Sequence, residues 1–117
     1  MDTYTTVAPD QLPAVVLDFL TAHAAREVGE AIGAFTADAT VTDEGRTYRG
    51  TSEVLEFLGS AGSQFTYTTT LVGAGRADGA RWVAVNRLEG DFPGRVAELR
   101  YRFRLVDDLV DELVIAP

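Results

Sequence analysis

The residues able to do chemistry crowd into one stretch, VTDEGRTYRG at 41–50. Asp43 and Glu44 precede Gly45, and Arg46, Tyr48 and Arg49 follow it. Asp43 carries the sharpest hypothesis, a pocket carboxylate whose pKa is raised by apolar neighbours and which abstracts a proton next to a carbonyl. The same residue also suits an Asx-type turn, its side chain accepting backbone N–H groups of DEGR or pairing with Arg46 or Arg49. Sharing a strand face with Val41 points it into a pocket, whereas its place at a turn points to the second role. His23 is the chain's one histidine. It is suited either to moving protons near neutral pH or to sitting partly exposed at a helix end, where the dipole favours it. Tyr48 and Tyr101 each offer a hydroxyl on an aromatic body. Asn86 places an amide on an otherwise apolar strand register, where it holds a ligand carbonyl or ends a local water network.

The elements that must position these groups follow from periodicity. Residues 1–9 read as a flexible leader. In DQLPAVVLDFLTAHAARE the positions Leu12, Val16, Phe19, Leu20 and His23 share one helical face, with Asp10 as N-cap and Pro13 in the first turn. REVGEAIGAF predicts a second, shorter helix through Val28, Ile32 and Phe35. DATVTDEG shifts to period two as a short strand, and EGRTYRG makes a tight turn at Gly45. TSEVLEFLGSAG predicts a third helix, capped by Thr51 or Ser52 and ending at Gly59 or Gly62. The remainder reads as strands: QFTYTTTLVG, RWVAVNRLEGDF, RVAELRYRFRLV and LVDELVIA, broken by AGRADGA, by DFPG and at Asp107–Asp108. Trp82, Asn86 and Leu88 share one register, and Leu99, Tyr101 and Phe103 another that should face inward. Trp82, Phe19, Phe35, Phe65 and Phe103 are expected to form core and pocket walls. Arg100, Arg102 and Arg104 should face outward, pairing with acids such as Glu89, Asp111 or Glu112.

Composition excludes several functions. With 46% hydrophobic and 24% charged residues among 117, the chain reads as one globular domain with a real core. A formal charge of −8, with all ten basic residues being scattered arginines, argues against nucleic-acid binding. Without cysteine there is no disulfide or thiolate site, and a lone histidine makes a zinc site improbable, so neither metal nor cofactor is expected. The N-terminus lacks signal-peptide features and no apolar run suits a membrane span, which makes a cytoplasmic protein the expectation.

Together FLTAHAAREVGEAIGAFTADATVTDEGRTYRG and the later GDFPG and LRYRF resemble the nuclear transport factor two-like superfamily. The likeness is to its SnoaL-like polyketide-cyclase and ketosteroid-isomerase-related branch, over about residues 12 to 115. The F-x-x-D-A-x-V-x-D segment at 35–43, followed by Y-R-G, carries it. The resemblance implies a cone-shaped α+β barrel, three N-terminal helices on a curved, mostly antiparallel sheet around a pocket. It places a general base at Asp43. The oxyanion donors of the isomerases, a tyrosine and a protonated acid, fall on Phe19 and Leu99, neither of which donates a hydrogen bond. Losing one such donor costs roughly two to three orders of magnitude in rate, so isomerisation by that mechanism is not expected.

The expectation is therefore a pocket for a small hydrophobic, carbonyl-bearing or polycyclic molecule, with Asp43 and His23 as candidate catalytic groups. Phe19, Tyr48, Trp82, Asn86, Leu99 and Tyr101 would touch the ligand. Any chemistry would be cofactor-independent proton transfer of the isomerase, cyclase or dehydratase kind, the alternative being a non-catalytic ligand-binding or dimerisation module. No nucleic-acid or membrane partner is expected, and a homodimer through the sheet's outer face is.

Overall fold

Strands of alternating residues build most of the molecule. The computed structural model describes residues 4–60 and 65–117. Seven strands form one sheet: β1 (Thr5–Val7), β2 (Phe35–Asp43), β3 (Arg46–Arg49), β4 (Tyr67–Arg76), β5 (Arg81–Gly90), β6 (Val96–Val106) and β7 (Leu109–Ala116). They lie in the order β1-β4-β5-β6-β7-β2-β3. Every neighbouring pair is antiparallel except β2 and β7. Helices α1 (Ala14–Ala24), α2 (Val28–Ile32) and α3 (Gly50–Ser60) complete the α+β fold. None of the described helices is long and apolar enough to cross a membrane.

The inward register is as the alternation requires. Phe103 and Tyr101 of β6 stand beside Leu113 and Ile115 of β7, and all four are buried. Helices close this face, because Val16 and Phe19 of α1 and Val54, Phe57 and Leu58 of α3 recur at helical spacing and are also buried. Phe19 meets Phe35 edge-on at 5.3 Å and Phe103 at 5.8 Å, so helix and sheet interlock through one aromatic knot. Burying each such ring contributes about 1.5–3 kcal/mol. The arginine register faces outward, where Arg104 pairs with Asp111 at 2.7 Å and Glu112 at 3.9 Å.

Several local readings change. Residues 5–7 are not a free leader but an edge strand, Thr5–Val7 pairing with Ala74–Arg76. Tyr4 lies over Gly75, whose missing side chain makes the room. Asp10 does not cap α1; it belongs to a 3-10 turn, Pro9–Gln11, and Pro13 is the N-cap of the helix. At α3, Thr51 and Ser52 are inside a helix that starts at Gly50, and the Glu53 carboxylate accepts the Arg49 N–H instead. The first long strand takes in Phe35, which sequence periodicity gave to the second helix, because Phe35 pairs with Val110. Its register then shifts before Thr40, an irregularity that bends the strand. Gly62, a candidate helix end, lies outside the described residues.

Candidate functional site

The turn after β2 sets the geometry of the site. Asp43 pairs with Arg46, leaving Glu44 and Gly45 as a two-residue hairpin loop with φ of 52° and 78°. Positive φ at both positions is the geometry that lets a tight hairpin follow the sheet twist, and glycine supplies one of the two at no steric cost. The strand before it holds its alternation: Ala39 and Val41 are fully buried, and Asp43 continues the same face half-buried.

Register then places the chemistry. Asp43 lies beside Ile115, and Ile115 beside Tyr101, so one inward row runs Tyr101, Ile115, Asp43, Arg46 across β6, β7, β2 and β3. The next row carries Phe103, Leu113, Val41 and Tyr48. A cavity of about 570 Å³ opens over these rows. Its apolar wall is Leu88, Ala97, Leu99, Ile115 and Phe57, its rim includes Phe65, Tyr67, Phe92 and Pro93, and its polar side is His23, Asp43, Tyr48 and Tyr101 together with Glu44, Arg46 and Ser60. The rim is tied down by two hydrogen bonds, Asp91 N–H to the Thr66 carbonyl at 3.0 Å and Thr66 N–H to the Asp91 carboxylate at 2.8 Å. These hold Phe92 against Phe65 and Tyr67.

Each titratable group in the cavity is shifted by its surroundings. Burial is the main cause that raises the Asp43 pKa; the Glu44 carboxylate adds to it, and a hydrogen bond from the Glu44 backbone opposes it. Both readings of Asp43 thus hold part of the truth, since it accepts a turn amide and still has a carboxyl biased toward protonation. Arg46 does not neutralise it: that guanidinium binds Glu56 at 3.0 Å and covers the Tyr48 ring at 4.4 Å. His23 is sandwiched between Phe19 at 5.4 Å and Phe57 at 5.7 Å. Burial, then the Arg26 charge, lowers its pKa to about 4, so the imidazole is neutral at physiological pH. The helix C-terminus would favour its cation, but desolvation between two phenyl rings wins. The Tyr101 phenol is pushed up, mainly by burial and also by Tyr67 and Asp43, while a hydrogen bond with Asn86 works the other way.

Five of the eight anticipated residues line this cavity: His23, Asp43, Tyr48, Leu99 and Tyr101. Three are elsewhere. Phe19 is 1% exposed beneath His23 and supports it. Asn86 is 3% exposed and engages Tyr101 from behind. Trp82 is a correction: it pairs with Phe103 at the far end of the row from Tyr48 and sits under Arg76 at 5.2 Å, lining a separate cleft of about 120 Å³. Sharing a register with Asn86 fixed its face, but not its distance from Asp43 across the sheet. Tyr67, Phe57 and Phe92 were missed. The first two carried a signal, because Tyr67 alternates with Thr69, which pairs with Leu88, and Phe57 falls at i+3 from Val54. Phe92 is brought in by the loop alone.

A scan of family models matches none to this sequence, and no curated protein matches it. Solved structures do. A proposed polyketide cyclase from Sinorhizobium meliloti superposes with a TM-score of 0.85 at 24% identity, over 94% of this chain and 100% of that one. The fold is that of the nuclear transport factor two-like proteins, one of which, from Cytophaga hutchinsonii, superposes with a TM-score of 0.69. Within this fold the similar structures include a protein with a ketosteroid isomerase-like fold from Catenulispora acidiphila, solved with trimethylamine. Its TM-score is 0.77 at 16% identity, over 90% of this chain and 85% of that one. A Mycobacterium tuberculosis protein solved with estradiol-17beta-hemisuccinate has a TM-score of 0.71 at 11% identity, over 88% and 90% of the two chains. The sequence resemblance and these structures thus agree on the fold.

Proposed function

We propose that the cavity binds a small hydrophobic, carbonyl-bearing molecule up to polycyclic size, and that Asp43 moves a proton on it without a cofactor. One observation carries the reading: a half-buried carboxyl with a raised pKa opens into a cavity with one apolar wall, beside tyrosine hydroxyls and a neutral imidazole. A carboxylate so placed is a stronger base than one in water. It takes a proton from the carbon next to the carbonyl, and returning that proton to another carbon is isomerisation. Attack by the same carbanion on a second carbonyl is cyclisation. With Phe19 and Leu99 at the donor positions of the ketosteroid isomerases, the steroid isomerase mechanism itself is not the proposal. The similar structures solved with an estradiol ester and with trimethylamine support a ligand cavity in this fold.

The Glu44 amide bonded to Asp43 favours a second reading, a ligand carrier without catalysis. Proton exchange separates the two. In deuterated buffer, wild type should accelerate loss of the methyl protons of 2-acetylnaphthalene, followed by proton NMR, and Asp43→Asn should not. Binding without exchange in either protein would leave the carrier reading standing. The outer sheet face is proposed as a homodimer contact, and sedimentation equilibrium showing a monomer at micromolar concentration would exclude it.

A further inference from the structure

The anticipated oxyanion donors are absent, yet the cavity holds a hydroxyl that takes their place. Tyr101 lines the cavity next to Ile115. Asp43 flanks Ile115 on the other side, so the Tyr101 and Asp43 backbones are two strand spacings apart, roughly 10 Å. A tyrosine reaching inward from one side and a carboxylate from the other therefore bracket one small ligand. Behind Tyr101 is Asn86, the buried polar residue among the described side chains. Asn86 pairs with Leu99 and Tyr101 with Ala84, so the amide is diagonal to the phenol on the same inward face and hydrogen-bonds to it.

The direction of that bond decides what the cavity sees. A phenol oxygen both donates and accepts, and an amide offers NH2 donors and a carbonyl acceptor. The Asp43 charge raises the Tyr101 pKa, and Asp43 lines the same cavity, so a hydroxyl hydrogen turned toward the cavity is electrostatically favoured. The tyrosine oxygen is then left to accept from the Asn86 NH2 group. Tyr67 shows the same arrangement at the rim, with the Arg26 guanidinium donating to its oxygen at 3.4 Å.

We infer that Tyr101 is the hydrogen-bond donor to the ligand carbonyl, and that Asn86 is a positioning residue that aims its hydroxyl by donating to the Tyr101 oxygen. The inference deepens the proposed function and rests on it. It narrows the ligand class to an enolisable ketone whose carbonyl oxygen meets Tyr101 while an adjacent C–H faces Asp43. As Asp43 takes that proton, the C–H electron pair moves into a new carbon–carbon double bond and the carbonyl pair moves onto oxygen. The resulting enolate oxygen is held by the Tyr101 hydroxyl, which keeps its own proton. Asp43 then returns the proton to carbon, so nothing is oxidised or reduced.

Two probes of one shape test this by isothermal titration calorimetry: 2-acetylnaphthalene, which carries the carbonyl, and 2-isopropenylnaphthalene, which does not. Wild type should bind the ketone roughly 10-fold tighter, the worth of one net hydrogen bond in a buried site. Tyr101→Phe should bring that ratio to about one. Asn86→Asp, measured at alkaline pH so that the buried carboxyl ionises, presents only acceptor atoms, so it turns the hydroxyl away from the cavity and should also abolish the preference. Should that variant fail to fold, Asn86→Leu keeps the volume. It should lower the ketone preference several-fold while leaving affinity for the alkene unchanged, whereas a purely structural role would weaken both probes alike. Equal binding of the two probes by wild type, or a preference that survives Tyr101→Phe, would overturn the inference and leave the cavity's ligand-binding reading intact. An unchanged preference in Asn86→Leu would overturn the positioning role. Failure of wild type to bind either probe would sink the cavity reading and the inference with it.

Discussion

Acid should weaken this fold through one residue, His23. Its pKa falls from 6.5 to about 4 on folding, because the ring is desolvated between Phe19 and Phe57 with Arg26 nearby. A base with a depressed native pKa takes its proton first in the unfolded state. Above pH 6.5 both states are neutral and the group contributes nothing to the pH dependence. As pH falls from there to about 4, the unfolded chain gains a proton that the folded one refuses, and stability drops. Each unit is worth 1.36 kcal/mol, so the full loss is about 3 kcal/mol. At this chain length that corresponds to roughly 10 °C in melting temperature. The comparison is His23→Phe, which keeps a ring between the two phenylalanines and has no proton to gain. Urea unfolding of both proteins from pH 7.5 to 4 should give curves that run parallel above pH 6.5 and diverge below it, wild type losing about 3 kcal/mol relative to the variant. Terms from Asp43 and the surface carboxylates are common to both and cancel. Parallel curves over the whole range would show that His23 titrates normally and that the sandwich does not desolvate it.

Asp43→Asn should raise the melting temperature at pH 7, since burial and Glu44 penalise the native carboxylate; calorimetry should find the gain fading as pH falls through 3.8, below which the wild-type group is protonated in both states. Phe57→Ala should cost about 3–5 kcal/mol in urea unfolding, because a ring 1% exposed leaves a void beside His23 and Tyr48. Gly90→Ala should cost about 1–3 kcal/mol, as its new carbon would fall against the Thr66 carbonyl and the Tyr67 backbone, atoms that cannot turn aside. Arg104→Ala should cost no more than about 1 kcal/mol despite its 2.7 Å contact with Asp111, because the guanidinium end of the pair is solvent-screened and Asp111 keeps its hydrogen bond from Thr36.

How far the sequence revealed this architecture depended on the range of the interactions involved. Period-two alternation in RVAELRYRFRLV was enough to turn Tyr101 and Phe103 inward and Arg100, Arg102 and Arg104 outward, because face is a local property of a strand. The same logic carried Asp43 to the cavity through Val41. Strand order is not local, so Trp82 was given the right face but the wrong neighbourhood. The edge strand Thr5–Val7 is three residues long, too short for periodicity to announce, and exists only because β4 offers an open edge. Tyr67 and Phe92 reach the cavity through the tie between Asp91 and Thr66, a contact between segments 25 positions apart. Asn86 was recognisable as a buried amide in need of a partner, but only the diagonal register shows that partner to be Tyr101.

The account stands on Asp43 being a pocket carboxyl first and a turn anchor second. Carbon-13 NMR titration of the Asp43 carboxyl in the ligand-free protein measures the balance directly. A midpoint above 3.8, rising further when 2-acetylnaphthalene excludes water from the cavity, is the expected result. A midpoint at or below 3.8, unmoved by the probe, would mean that the Glu44 amide governs the group, and would contradict the assignment of Asp43 as the acid–base residue.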